Sequence, residues 1–159
     1  MAKRWTGLLG GLILACLNTA SFAAGDIEIA SNLQAEAAHA AKAGGPLIVI
    51  YSREDCSFCK AVKRDYLKPL AANPRYRDRI VIRQVNQDGE QQALTDFKGN
   101  AVTHAHVAAA EKVKLVPVVA FYGPDGRKLA DPIVGARLPD FYQSYLEDAI
   151  EQSSKALKK

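Results

Sequence analysis

An apolar run followed by a Cys-x-x-Cys motif constrains the fold of this chain more than any other feature. Pro46 to Tyr51 is rich in β-branched residues and follows two glycines, which is typical of a strand buried on both faces. Four polar residues then lead into the motif, Cys56 to Cys59. The residues after it, Lys60 to Leu67, favour a helix with one apolar side. The pattern therefore predicts a strand, a turn and a helix that begins at Cys56.

This placement suits redox chemistry at both cysteines. A thiol at a helix start faces free N–H groups and the positive end of the helix dipole, which favour its thiolate. Cys56 is therefore the predicted nucleophile. Cys59 lies about one helical turn further on the same face, from which it can attack a mixed disulfide on Cys56. The two cysteines are the predicted catalytic pair and form the predicted redox-active disulfide.

Other readings of the motif fit less well. A zinc site needs two more ligands, but Cys16 is the only other cysteine, and His104 and His106 lack the usual spacing of zinc ligands. We expect these two histidines to be solvated. Covalent haem attachment requires histidine where Lys60 stands. A purely structural disulfide that closes so short a loop would constrain the unfolded chain little.

The N-terminus has the pattern of a secretory leader. Lys3 and Arg4 precede an apolar stretch, Gly7 to Leu17, and small residues before Ala24 offer a cleavage site. Residues 1–23 are therefore predicted to be a signal peptide, which leaves 159 − 23 = 136 residues. An alternative remains open, because the residues up to Cys16 loosely resemble a bacterial lipobox. In that case Cys16 would be lipidated and would anchor the protein to a membrane.

Removal of the leader changes the composition. The formal charge falls from +4 to +2 when Lys3 and Arg4 are lost, so the basic pI is no evidence for nucleic-acid binding. The only cysteines left are Cys56 and Cys59. The apolar content suffices for one core, and no linker or repeat is visible. The expected organisation is a helical segment over 24–46, one domain over 47–153 and a basic tail over 154–159.

Periodicity and turn residues predict the other elements. They indicate an α/β fold with a mixed central sheet and helices on both faces. In chain order, the expected elements are a helix over 27–43, a strand over 47–51, a helix from Cys56 interrupted near Pro69 and ending at Asn73-Pro74, a strand over 80–85, a helix over 102–111, two strands that flank a turn at 123–126, and a helix over 139–153.

From about Leu47 to Ile150 the chain resembles the thioredoxin superfamily, and more narrowly the SoxW-type secreted thioredoxin-like proteins. The features that carry the resemblance are the strand before the cysteines, the Val116-Pro117-Val118 element, the Gly-Pro-Asp-Gly turn and Val134-Gly135-Ala136 before the last helix. In this superfamily the proline that matches Pro117 is cis and faces the reactive cysteines. The resemblance implies that Val116 and Pro117 bind an extended substrate segment. We expect Phe58 and Gly135 to belong to the same substrate-binding surface.

The chain also departs from typical thioredoxins. Asp55 stands where they carry tryptophan, and Ile50 replaces their buried carboxylate, six residues before the first cysteine. Proton transfer during resolution must therefore use another group, for which Glu54, Asp55 and water are candidates, or proceed more slowly. Residues 88–103 are similar to an insertion of the SoxW-type proteins. This segment either shapes substrate choice or is a tolerated surface loop.

These features predict a periplasmic thiol–disulfide oxidoreductase that reduces secreted proteins and uses no cofactor. The resemblance implies electron supply by a membrane thiol-transfer protein. We expect a monomer that does not bind nucleic acid. A disulfide oxidase or isomerase is the alternative within the same chemistry. A module that holds copper(I) on two thiolates is the alternative from another class, although the mature chain lacks a third cysteine and methionine.

Overall fold

A computed structural model describes residues 26–136 and 139–159. The predicted leader and the lipobox cysteine Cys16 lie outside these ranges. Within them, none of the helices has the length and apolar character needed to span a membrane. The elements are α1 (Leu33–Lys42), β1 (Leu47–Ser52), α2 (Ser57–Val62), a π-helical turn (Lys63–Leu67), α3 (Lys68–Ala72), β2 (Val81–Asn86), β3 (Ala93–Thr95), β4 (Ala101–Thr103), α4 (His104–Ala110), β5 (Val118–Tyr122), β6 (Ile133–Val134) and α5 (Pro139–Ala156).

The main sheet has four strands in the order β2-β1-β5-β6. Strand β1 lies at its centre, parallel to β2 and antiparallel to β5, and β6 closes the other edge in antiparallel pairing. All six residues of β1 are buried, as the apolar run predicts. The expected mixed sheet is therefore confirmed.

Alternate residues of β1 belong to two apolar cores on opposite faces of the sheet, because successive side chains of a strand point in opposite directions. Ile48 and Ile50 pack with the helical segment after Cys56 and with α5. Leu47, Val49 and Tyr51 pack in a second core with residues of α1 and α4. Helices therefore cover both faces, as expected.

The first helix is shorter than predicted. It begins at Leu33, where the Asn32 side chain accepts a hydrogen bond from the Ala35 N–H at 2.9 Å. Residues 27–31 are not helical. Instead, Ala30 N–H donates to the Gln84 carbonyl, and Gln84 N–H donates to the Glu28 carbonyl. Ile29, one of the apolar residues with helical spacing, instead forms a parallel bridge with Gln84 at the outer edge of β2.

The helical segment after Cys56 is interrupted near Pro69, as predicted. A π-helical turn spans Lys63–Leu67, where the Lys68 N–H donates to the carbonyl of Lys63, five residues back, and Pro69 follows in the first turn of α3. The segment ends before Asn73, as predicted. At the other end of the chain, α5 continues to Ala156, so the first residues of the predicted basic tail are helical.

The region between β2 and β5 contains structure that the sequence did not predict. Strands β3 and β4 form a separate two-stranded antiparallel sheet within the expected insertion. Val102, expected to be helical, lies in β4, and α4 begins only at His104. The second strand of the hairpin after the Gly-Pro-Asp-Gly turn is also shorter than expected. It pairs with β5 only at Ile133–Val134 and at an isolated bridge from Lys128 to Tyr122.

Candidate active site

The two cysteines of the motif are joined in a disulfide at the start of α2. Cys56 has extended backbone dihedral angles and caps the helix, and its Sγ accepts a hydrogen bond from the Cys59 N–H at 3.0 Å. Cys56 is partly buried, whereas Cys59 is 0% exposed. A disulfide of another protein can therefore reach the Cys56 sulfur, whereas the Cys59 sulfur is shielded from solvent.

The loop before β5 and the disulfide lie at the same end of the two central strands. Strand β1 ends beside the start of β5, because Tyr51 pairs with Val118. Pro117 immediately precedes Val118, and its bond to Val116 is cis, as the resemblance implied. The Pro117 carbonyl accepts a hydrogen bond from the Gly135 N–H at 2.8 Å. The fold thus places Val116, Pro117 and Gly135 together, next to the segment that carries Cys56.

Exposed apolar side chains lie around this end of the strands. Phe58, between the cysteines, is 66% exposed, Leu115 is 72% exposed and Val134 is 56% exposed. Leu115 and Val134 line one cavity of about 240 Å³. The sequence analysis included Phe58 but did not assign the other two to the site. Val134 reaches it only through the pairing of β5 with β6. A larger groove of about 840 Å³ lies along the outer edge of β2 and is lined by neither cysteine.

Charged groups before the motif connect the site to the insertion. Arg53 lies 3.5 Å from the carboxylate of Asp55 and 3.9 Å from that of Asp88, the first residue of the insertion. Beside them, Gln87 N–H donates to the Ser52 carbonyl at 2.9 Å, and its side chain donates to the Val113 carbonyl at 2.8 Å. Asp88 of the insertion therefore contacts the loop before Cys56, and Gln87, just before the insertion, links that loop to the loop before Pro117.

The position of the missing carboxylate is occupied by a fully buried isoleucine. Ile50 pairs with Gln84 on the parallel strand β2, so the two side chains share the face covered by α2. The Gln84 side chain accepts a hydrogen bond from Lys63 Nζ at 2.7 Å. The sequence analysis did not identify Gln84 or Lys63 as site residues. A glutamine within the apolar run of β2 was the available signal, because a buried polar side chain needs a partner.

His104 contradicts the expectation that both histidines are solvated. It is 1% exposed, whereas His106 is exposed. Its Nδ1 accepts from the Asn86 N–H at 3.1 Å, so Nε2 carries the proton and donates to the Ala30 carbonyl at 3.1 Å. Burial lowers the pKa of His104. This neutral imidazole joins α4, β2 and the N-terminal segment, and it has a structural role.

Two tyrosine hydroxyls are buried under the loop before Pro117. Tyr51 and Tyr122 lie 2.8 Å apart, and the Tyr122 hydroxyl donates to the Glu111 carboxylate at 3.0 Å. Lys128 also contacts this carboxylate. Burial is the main cause that raises the pKa of both tyrosines. These hydrogen bonds connect the end of α4 to the two central strands and support the loop that follows α4.

Comparison with known proteins establishes the family. Residues 33–150 match the sequence model of a thioredoxin-like domain, which covers more than half of the chain. The chain belongs to the thioredoxin-like family. The four-stranded sheet and its helices are accordingly a thioredoxin fold. Among curated proteins, no sequence gives a significant match.

Two solved structures with a similar fold have low sequence identity to this chain. Thioredoxin O2 of Arabidopsis thaliana in its oxidised state is 18% identical, with a TM-score of 0.50 over 77% of this chain and 91% of that chain. A thioredoxin-fold protein from Helicobacter pylori is 18% identical, with a TM-score of 0.51 over 71% of this chain and 80% of that chain. At this identity the likeness concerns the fold alone. The thioredoxin-like fold and its paired cysteines together support thiol–disulfide redox activity.

Proposed function

We propose that this thioredoxin-like protein is a thiol–disulfide oxidoreductase that reduces disulfides of secreted proteins in a bacterial periplasm. The observation that carries the proposal is the unequal accessibility of two bonded sulfurs. Cys56 is partly exposed at the start of α2, and Cys59 is completely buried. This arrangement suits a nucleophile that meets the substrate and a second thiol that acts only afterwards.

The reaction proceeds by two thiol–disulfide exchanges. The Cys56 thiolate attacks one substrate sulfur, so the substrate S–S bond breaks and its other sulfur leaves as a thiolate. The Cys59 thiolate then attacks the Cys56 sulfur, which forms the intramolecular disulfide and releases the second substrate sulfur. The protein dithiol loses two electrons and the substrate disulfide gains them. Protons from the two protein thiols balance the two substrate thiols through solvent.

The exposed apolar surface fits an unfolded or extended substrate. Phe58, Leu115 and Val134 flank the disulfide and the Val116-Pro117 loop, and they offer contacts that depend little on substrate sequence. Because the Gly135 N–H already occupies the Pro117 carbonyl, we assign backbone recognition to Val116. We propose that a membrane thiol-transfer protein restores the dithiol through the same surface, and that the protein acts as a monomer.

Turnover of insulin disulfides tests the function. With dithiothreitol as electron source, the wild-type protein should accelerate insulin precipitation, and Cys56→Ser should abolish the acceleration. Cys59→Ser should accumulate a mixed disulfide with the substrate, since the resolving thiol is gone. Ser57→Ala provides a control in the same helical turn that removes no sulfur. Equal activity of Cys56→Ser and wild type would refute the proposal.

The direction of electron flow needs a separate experiment. Around Cys56, the carboxylates of Glu54, Asp55 and Asp88 oppose the positive charges of Arg53 and Lys60, so the neighbouring side chains give the thiolate little net stabilisation. A dithiol of this kind is a reductant. We therefore expect mostly oxidised protein at equilibrium with a glutathione buffer of endoplasmic-reticulum poise. Mostly reduced protein under these conditions would favour the alternative function, a disulfide oxidase.

A metal-binding function is the second candidate, and it has less support. Within residues 26–136 and 139–159, no three histidine, cysteine or acidic side chains are placed to hold one ion. Copper(I) could still bind the two thiolates of the reduced protein. Titration of reduced protein with copper(I) separates the two functions, because a site tighter than micromolar combined with no insulin reduction would favour metal handling.

A further inference from the structure

Lys63 is the charged residue that lies one helical turn after the buried Cys59. It follows Cys59 by four positions, and its backbone N–H donates to the Cys59 carbonyl, so the two side chains share one helical face. Lys63 is partly buried, and its ammonium donates to Gln84 Oε1 at 2.7 Å. Lys63 and Gln84 therefore lie between α2 and the sheet, in the layer that contains Ile50 in place of a carboxylate.

A chain of side-chain amides extends from this ammonium to the insertion. Gln84 Nε2 donates to Asn86 Oδ1 at 2.6 Å, and Asn86 Nδ2 donates to Gln92 Oε1 at 2.6 Å. In this series of hydrogen bonds, each of the three side-chain carbonyl oxygens points toward Lys63. Aligned hydrogen bonds polarise one another, so the three amide dipoles together favour the positive charge of Lys63. The insertion fixes the far end, because the Gln92 carbonyl accepts from the His104 N–H.

Other charges near Lys63 and Cys59 have partners of their own. On the loop before Cys56, Arg53 pairs with Asp55 and Asp88, beside the exposed Glu54. On the N-terminal segment, Lys68 is the main cause that lowers the pKa of Asp26, followed by the Ile27 N–H, and Lys63 contributes more weakly. On α5, Tyr142 is kept neutral because burial raises its pKa, with Tyr66 of the π-helical turn contributing.

We propose that Lys63, held in place by the amide chain from the insertion, favours the thiolate of Cys59 in the resolving step. This inference rests on the proposed function. A fully buried thiol resists ionisation unless an opposite charge is near. The ammonium supplies that charge while the Cys59 thiolate attacks the Cys56 sulfur and the substrate sulfur leaves as a thiolate. The proton of Cys59 goes to solvent, and Lys63 acts through its charge alone. The insertion thus acts on the site through Gln92, as well as through its contacts at Asp88.

The test measures ionisation of Cys59 without any substrate. In a Cys56→Ser background, the ultraviolet absorbance of the thiolate gives the pH at which half of Cys59 is ionised. We expect Lys63→Met to raise this midpoint by about one pH unit, and Lys63→Arg to preserve it. Lys98→Met, which removes a surface charge from the β3–β4 turn, is the control. Equal midpoints for Lys63→Met and Lys98→Met would overturn the proposal.

A second pair of variants tests the role of the insertion. Gln92→Ala should raise the midpoint by less than Lys63→Met does, whereas Gln91→Ala, at the adjacent exposed glutamine, should not change it. No effect of Gln92→Ala would overturn the proposed link to the insertion. The midpoint is independent of turnover. A shifted midpoint in a protein that cannot reduce insulin would support the role of Lys63 while refuting the proposed function.

Discussion

Some residues of the candidate site can be identified from a local sequence motif, whereas others are brought together only by the fold. Cys56 and Cys59 are placed by a local motif, since a cysteine that caps a helix and another three residues later need only the helix itself. Lys63 and Gln84 are 21 positions apart in sequence and meet through the packing of α2 on the sheet. Their hydrogen bond could not be read from spacing.

His104 gives a prediction about pH at this scale. Its pKa is lowered by burial, so between the folded and unfolded pKa values the unfolded chain binds more protons. The stability that the neutral ring contributes is complete above the unfolded value, 6.5, and is lost as the pH falls toward the folded value. We expect His104→Gln to lower the free energy of unfolding by about 1–3 kcal/mol at neutral pH, because a buried hydrogen-bond network is broken.

Urea unfolding at about pH 7.5 and about pH 5.5 checks both parts of this prediction. The wild-type protein should lose more stability between these pH values than His104→Gln loses. His106→Gln removes an exposed imidazole from the same helix and should behave like wild type. If His104→Gln and wild type show the same pH dependence, the assignment of a neutral, buried His104 is wrong.

Among elements, prediction succeeded where local signals and tertiary packing agree. The apolar run of β1, the cysteine cap of α2 and the stop at Asn73 are strong local signals. Residues 27–31 carry helical spacing, but their backbone pairs with β2, and Asn32 starts the helix only afterwards. The strands β3 and β4 are three residues each and stabilise one another, so no sequence window indicates them.

Two neighbouring glycines between α1 and β1 give a prediction about packing. Gly44 has a φ of +83°, and a Cβ there would meet no atom within 4 Å. A Cβ on Gly45 would lie 2.0 Å from the Arg79 carbonyl oxygen, in the loop that leads to β2. Gly45→Ala should therefore lower the free energy of unfolding by about 3 kcal/mol or more, since backbone must move. Gly44→Ala should cost about 1 kcal/mol from its left-handed conformation alone.

Chemical denaturation of the two alanine variants measures the difference, and Gly44→Ala serves as the matched control. Losses of equal size would show that strain of the turn, and not the close approach of the Arg79 loop, is the constraint at this junction.

For the whole molecule, the N-terminal sequence gives a prediction about processing. We expect the exported form to begin at Ala24, because the residues before it have the pattern of a cleavable leader. Intact mass of protein released from the periplasm measures this start. Cys16→Ser should leave both the mass and the yield of the released form unchanged, since residue 16 is removed. A diacylglyceryl adduct on Cys16, with protein in the membrane fraction, would instead make it a lipoprotein.

The central position of β1 has a consequence for the order of folding. Its neighbours are β2, at residues 81–86, and β5, at residues 118–122, so the six buried residues of β1 are synthesised long before their second partner exists. Closing a contact over so much chain costs loop entropy, and such contacts form late. A growing chain of this sequence therefore cannot complete the core around β1 until its last third is available.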